Sequence, residues 1–192
     1  MNNLEFTKKE IDNDLYKRMI GKSIPVDSIN EVKIENLSYL TLPHFGFDGK
    51  IHIGEMVVAT EVADDIMDIF KELFSIEYRI EKMKLIDEYD GDDNKSMADN
   101  NSSGFNYRKI PFTDNLSNHA RGIAIDINPL YNPYIVDGRV LPENGKEYVD
   151  RSKEDLRYIK KGDIIYNIFK NHGWSWGGEW IDSKDYQHFE KI

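Results

Sequence analysis

Ser117-Asn118-His119-Ala120-Arg121-Gly122-Ile123-Ala124-Ile125-Asp126-Ile127-Asn128-Pro129 sets a histidine and an aspartate seven positions apart in a largely apolar run. On one unbroken strand an odd separation sends two side chains to opposite faces. Gly122 offers a break: the chain turns at 120–122, then 123–126 runs as a buried strand, and the two side chains can converge. A carboxylate between Ile125 and Ile127 is costly to bury unless it is paired or bound to a cation. Spacing alone leaves two readings of Asp126 level, a metal ligand or a carboxylate capping nearby backbone amides.

A second stretch answers the first. Trp174-Ser175-Trp176-Gly177-Gly178-Glu179-Trp180 is followed by Asp185-Tyr186-Gln187-His188-Phe189. Taken together, His119, Asp126 and His188 read as the ligands of one metal ion. Catalytic zinc takes three protein ligands and keeps a fourth position for water, and a chain without cysteine must draw them from His, Asp and Glu. Asp185 lies three residues before His188, a spacing that can set a carboxylate beside the open position while the histidine takes the metal. Taken alone, His188 reads more simply as a histidine packed among Tyr186 and Phe189. Glu179 rivals Asp185 as the base, because Gly177 and Gly178 before it would let backbone approach a ligand closely. His172 reads as a histidine at a helix C-terminus, and His44 and His52 as structural histidines. Trp176, Trp180, Tyr131 and Tyr134 are either cleft walls or core.

Composition limits the classes of function. At 192 residues with 40% hydrophobic and 12% aromatic content, the chain has enough apolar surface for one folded domain. A formal charge of −10 argues against nucleic acid and anionic membrane surfaces as partners. The first ten residues have no apolar core or small-residue cleavage site, so no signal peptide is expected, and no apolar run approaches a transmembrane span.

Periodicity gives a coarse order of elements. Leu4 to Ile20 reads as an amphipathic helix ended by Gly21, and 1–36 as an N-terminal helical extension to a domain over 37–192. Strands are expected at Leu37–Phe45 and Ile51–Val58, joined as a hairpin at Phe47-Asp48-Gly49-Lys50. A helix follows, with Thr60 as N-cap and Val62, Ile66, Ile69, Phe70, Leu73 and Phe74 on its apolar face. Met83–Tyr89 alternates as a strand. Asp90 to Gly104 reads as a long solvated loop: its oxygens faintly suggest a calcium loop but lack the glycine and distal glutamate. Arg108, just past that loop, is a candidate site residue. Val136-Asp137-Gly138-Arg139-Val140 is a tight turn or hairpin. Ser152-Lys153-Glu154-Asp155 resembles a helix start, and Ile164, Ile165, Ile168 and Phe169 give a helical face ended by Gly173. Trp174–Trp180 and His188–Ile192 close the chain as strands.

The pattern Ser117-x-His119-x-x-Gly122-x-Ala124-x-Asp126-Ile127, with Asp185-x-x-His188 downstream, resembles the zinc D-alanyl-D-alanine carboxypeptidase family. That family includes D,D-peptidases and L-alanyl-D-glutamate endopeptidases, and the Trp-Gly-Gly-x-Trp segment looks like its endopeptidase branch. The resemblance runs from about Leu37 to Phe189. It implies an α+β fold with a central antiparallel sheet flanked by helices, as in the Hedgehog signalling domain. It implies Zn2+ on His119, Asp126 and His188, with Asp185 as general base. It also implies an arginine that holds substrate or polarises its carbonyl. Some members carry this arginine just after the strand equivalent to Met83–Tyr89; Asp90 and Gly91 stand there, so Arg108 takes the role. Ser117 becomes the partner of a substrate carboxylate or carbonyl. The implied substrates are peptidoglycan stem peptides, which would place the protein outside the cytoplasm. Two other functions remain open, a non-catalytic zinc module that binds cell-wall peptides or a partner, and a metal-free fold with a satisfied buried His–Asp pair. The first would need no acid/base residue, whereas both Asp185 and Glu179 are present.

Overall fold

The computed structural model describes residues 4–192. Strand β1 (Thr7–Glu10) precedes helix α1 (Asn13–Met19), and the long strands β2 (Leu37–Phe45) and β3 (Ile51–Ala59) follow. Helix α2 (Ala63–Ser75), the short helix α3 (Asp93–Ala98) and strands β4 (Ala124–Asp126), β5 (Tyr134–Val136) and β6 (Arg139–Leu141) come next. Helix α4 (Ile164–Asn171) and strands β7 (Ser175–Trp176), β8 (Ser183–Asp185) and β9 (His188–Glu190) complete the order.

These strands form three antiparallel sheets of three strands each, in the orders β1-β2-β3, β4-β9-β7 and β6-β5-β8. The mixture of helices with antiparallel sheets is consistent with an α+β protein. The single central sheet expected from the resemblance is instead divided, because β4 to β9 are each two or three residues long and irregular chain separates them.

Alternation explains where the core lies. Leu40 and Leu42 on β2, with Met56 and Val58 on β3, face α2, whose Ile66, Ile69, Phe70 and Leu73 are fully buried. The same core takes Ile125 from β4, Phe189 from β9 and Phe169 from α4. Phe169 and Phe189 stack with ring centroids 3.9 Å apart. At roughly 2 kcal/mol per large apolar side chain removed from water, these contacts hold the short strands in register against the hairpin layer. A second cluster joins Met19 and Ile24 to Leu37, Val57, Leu85 and Phe105.

Several local expectations need correcting. The helix expected over Leu4–Ile20 is divided: Thr7–Glu10 pairs with β2 as an edge strand, and Asp12 caps a shorter helix by accepting from Leu15 N–H at 2.8 Å. Thr60 does not cap α2; its hydroxyl bonds to Ser38 at 3.0 Å and the helix starts after Val62 without a side-chain cap. Met83–Tyr89 is no strand: Met83 O accepts from Glu55 N–H, and Ile86–Tyr89 winds as a 3-10 turn. Ser152–Asp155 starts no helix; α4 begins at Ile164, capped by Asp163, whose carboxylate accepts from Tyr166 N–H at 2.8 Å.

The segment expected as a solvated loop over 90–104 is only partly exposed. Asp92 caps α3, and Asn100 through Gly104 run buried through the molecule. Asn101 stands in for a missing strand partner, accepting from Lys84 N–H at 2.7 Å and donating to Lys84 O at 3.0 Å. Buried polar residues of this kind are tolerated where they are hydrogen-bonded, as Asn101 is. No helix of the described residues is long and apolar enough to cross a membrane.

Candidate metal centre

Gly122 makes the turn that the central stretch requires. Ser117 caps a 3-10 turn over Asn118–Arg121 by accepting from His119 N–H, and Gly122 ends it with φ of +73°, left-handed backbone that glycine adopts without strain. The chain then enters β4, where Asp126 lies directly opposite His188 of β9. Opposed residues on antiparallel strands bring their side chains close together on one face. Alternation sends Ile125 and Phe189 the other way, into the core. Polar chemistry thus lies on one side of this strand pair and apolar packing on the other.

His119, Asp126 and His188 are all buried, and one ligand atom from each lies within 4.8 Å of the others. His119 Nε2 is 3.3 Å from Asp126 Oδ2 and 3.2 Å from His188 Nδ1, and His188 Nδ1 is 3.1 Å from Asp126 Oδ1.

The outer nitrogens decide what this cluster can hold. His119 Nδ1 lies 2.7 Å from the carbonyl of Gly104, and His188 Nε2 lies 3.1 Å from the carboxylate of Glu190. A carbonyl and a carboxylate only accept, so both outer nitrogens carry the proton and donate. The inner lone pairs of both rings then converge with an ionised carboxylate. Such a set is unstable without a cation among its members. In the absence of metal that cation is a proton: burial works to lower the pKa of His188, but hydrogen bonds to Asp126 and Glu190 raise it to about 10. Burial would likewise raise Asp126, yet His119 and His188 hold its carboxyl far below the usual range. Two imidazoles and a carboxylate with fixed outer protons are also a donor set that suits zinc.

Asp185 borders the same cleft. It is buried, its Oδ1 has no hydrogen-bond partner, and burial, aided by the nearby Asp126 charge and opposed by His188, pushes its carboxyl up to about 7. Glu179, the rival base, turns away. It bonds to Tyr166 Oη at 3.0 Å, Lys161 at 2.8 Å and Lys170 at 3.2 Å, and the ion pair with Lys161 helps hold it down at about 2. Gly177 does permit a close approach, but to the protein's own chain: a Cβ there would sit 2.7 Å from Asp185 O.

The cleft encloses about 340 Å³ and is lined by Arg108, Ser117, Tyr134, Trp180 and Gln187 as well as the cluster and Asp185. The Trp180 ring centroid is 5.3 Å from that of His188. Trp176 and Tyr131 are not on this wall: Trp176 is buried and donates to Tyr186 O, and Tyr131 packs on Phe47 and Tyr148. Arg108 reaches the cleft already paired, 2.9 Å from Asp93. Ser117 uses its hydroxyl in capping while lining the cleft. A larger hollow of about 700 Å³ beside the N-terminal segment reaches none of the three clustered residues. His44, His52 and His172 lie outside the cluster; His52 bonds to Asp48 and His172 to Glu72.

Three contributors escaped the sequence reading. Gly104 acts only through its carbonyl, Asp93 sits in what read as solvated loop, and Glu190 lies in the expected last strand, where alternation with His188 was the available signal.

A family described as D-alanyl-D-alanine carboxypeptidase matches residues 112–191, the stretch that carries the cluster and Asp185. Over those residues the match bears out the resemblance drawn from the motifs and supports a peptidase. No curated protein and no solved structure matches the chain.

Proposed function

Starting from the match of residues 112–191 to the D-alanyl-D-alanine carboxypeptidase family, we propose that this protein is a zinc-dependent peptidase that hydrolyses peptide bonds in the stem peptides of bacterial peptidoglycan. One observation carries the reading: three lone-pair donors converge in a cleft that also holds a buried carboxylate with an unpartnered oxygen. A metal cluster without such a group would suit a binding module. The proposed fold kinship is with the Hedgehog and D,D-peptidase group, and the proposed substrate places the protein outside the cytoplasm.

His119 through Nε2, His188 through Nδ1 and Asp126 through a carboxylate oxygen would hold the zinc. When bound, the ion supplies Lewis-acid polarisation of the scissile carbonyl and brings the pKa of its water to about 7. Asp185 accepts the proton of the attacking water through its free oxygen and delivers a proton to the departing amine. A positioned acid–base group of this kind contributes about 10²- to 10⁴-fold. Trp180 and Tyr134 wall the cleft and limit the water around the reacting bond. Arg108 is the cationic side chain in the lining, and it faces substrate with its charge already partnered by Asp93. A guanidinium so engaged suits polarisation of a neutral carbonyl better than capture of a free terminal carboxylate, which favours cleavage of an internal bond.

The test is hydrolysis of purified muropeptides by the zinc-loaded protein, with products identified by mass spectrometry. Asp185→Ala and His188→Ala are each expected to abolish cleavage. Full activity in either variant would defeat the assignment, and loss of a terminal residue alone would redirect it to carboxypeptidase action.

A further inference from the structure

Glu190 has a place in this site that the metal ligands alone do not explain. It lies two residues after His188 on β9, so the two side chains share a face, and opposite it on β4 stands Ala124. Alanine at that position leaves the room above the strand pair to the Glu190 side chain, which is about 10% exposed. One oxygen, Oε2, accepts from His188 Nε2 at 3.1 Å and from Asn118 Nδ2 at 2.7 Å. Asn118 immediately precedes the ligand His119 and is the first residue of its 3-10 turn. Glu190 therefore ties the turn carrying one imidazole to the strand carrying the other.

We propose that Glu190, held by Asn118, is a positioning residue that fixes His188 as the Nε2–H tautomer and so presents the bare Nδ1 to the metal. The inference rests on the zinc reading above. An imidazole can offer either nitrogen, and which one is free is set by the hydrogen bond the other makes. On a strand as short as β9 the choice matters. A ring offering Nε2 instead would turn its lone pair toward Glu190 and away from His119 and Asp126. The carboxylate is an obligate acceptor when ionised, so it admits only the proton-bearing nitrogen on its side. The carbonyl of Gly104 does the same for His119 with the opposite nitrogen, leaving Nε2 free there. Glu190 is not itself a ligand in this scheme. Its bonding oxygen is shared by two donors, and it is not a member of the cluster of three.

The experiment measures zinc affinity by competition with a chromophoric chelator, alongside nitrogen-15 NMR of the histidine rings in the zinc-loaded proteins. The proteins are the wild type, Glu190→Gln, Glu190→Ala and Asn118→Ala, each checked for folding by circular dichroism. Loss of a group that orients a metal-binding histidine typically costs about 10- to 100-fold in affinity. Glu190→Ala should show that loss, with His188 distributed between tautomers. Glu190→Gln, whose amide oxygen keeps both hydrogen bonds, should recover most of the affinity and the single Nε2–H form. Asn118→Ala should fall between them. If the wild type binds zinc and Glu190→Ala binds it equally with an unchanged His188 tautomer, the positioning role is overturned while the peptidase proposal stands. If the wild type takes up no zinc, both are overturned. Should Glu190→Ala fail to fold, Glu190→Gln against Asn118→Ala decides: an unchanged affinity and tautomer in Asn118→Ala overturns the coupling.

Discussion

Replacing Gly122 by alanine tests the turn on which the site depends, and Gly138→Ala is its built-in control. Both glycines have φ of +73°. An L-residue held there pays about 1–2 kcal/mol in either place. The gain from a stiffer unfolded chain, about 0.4–1 kcal/mol, is likewise common to both and cancels in the difference. The surroundings differ. A Cβ on Gly138, at the tip of the β5–β6 hairpin, meets nothing within 4 Å. A Cβ on Gly122 would lie 2.5 Å from Ala59 N, 3.1 Å from Val58 C and 3.2 Å from Ala59 Cα. Those are backbone atoms of β3, and Ala59 N–H donates to Gly122 O at 2.8 Å, so neither partner can retreat without breaking that bond. Overpacking of a tight contact adds about 1–3 kcal/mol. Gly138→Ala should therefore cost about 1 kcal/mol and Gly122→Ala about 3 kcal/mol. For a chain of this length these correspond to losses of about 2–4 °C and about 6–12 °C in Tm. Thermal unfolding followed by circular dichroism in metal-free buffer measures both, and zinc titration reports whether His119 and Asp126 still meet. Equal Tm losses, or undiminished zinc affinity in a Gly122→Ala protein that has shifted its turn, would refute the account of how the odd spacing is resolved.

Three further outcomes are expected. Burial raises the Asp87 carboxyl, against the pull of its bonds from Ser23; the stability it contributes is full below its unfolded pKa and declines as pH rises through the higher folded value. Asp87→Asn keeps an acceptor for Ser23, so its Tm relative to wild type should climb from about pH 3 to pH 7, and a flat difference would sink the argument. Asp93→Asn frees Arg108 from its 2.9 Å ion pair; KM for peptides ending in a carboxylate should fall a few-fold, about 1 kcal/mol or less, with no change for their amides. Zinc at a hundredfold excess over Kd should stabilise the protein by about 2.7 kcal/mol, or about 5–10 °C, and a chelator should remove this shift; His188→Ala should show none of it.

What the sequence made legible was whatever repeats along the chain. The β2–β3 hairpin, the apolar faces of α2 and α4 and the Asp137-Gly138 turn each carry a period or a turn signal, and each lies where that signal put it. Gly122 was readable for a different reason: the odd spacing of His119 and Asp126 demanded a break, and only one residue between them frees the backbone. The features that escaped are non-local polar pairings, which leave no period. Arg108 meets Asp93 across the cleft, the Gly104 carbonyl reaches His119 from a segment whose asparagines and serines read as solvated, and β1 is a polar edge strand whose side chains resemble those of a helix surface. Division of the expected central sheet has the same origin. Strands two or three residues long are too short to alternate visibly, and their register comes from Phe189 stacking on Phe169, a contact between different elements. The metal cluster stands on both kinds of information. Alternation puts Asp126 and His188 on one face, but the Gly104 carbonyl and the Glu190 carboxylate determine which nitrogen each imidazole turns inward. A motif therefore names the ligands, whereas their usable lone pairs are set by partners that the motif does not contain.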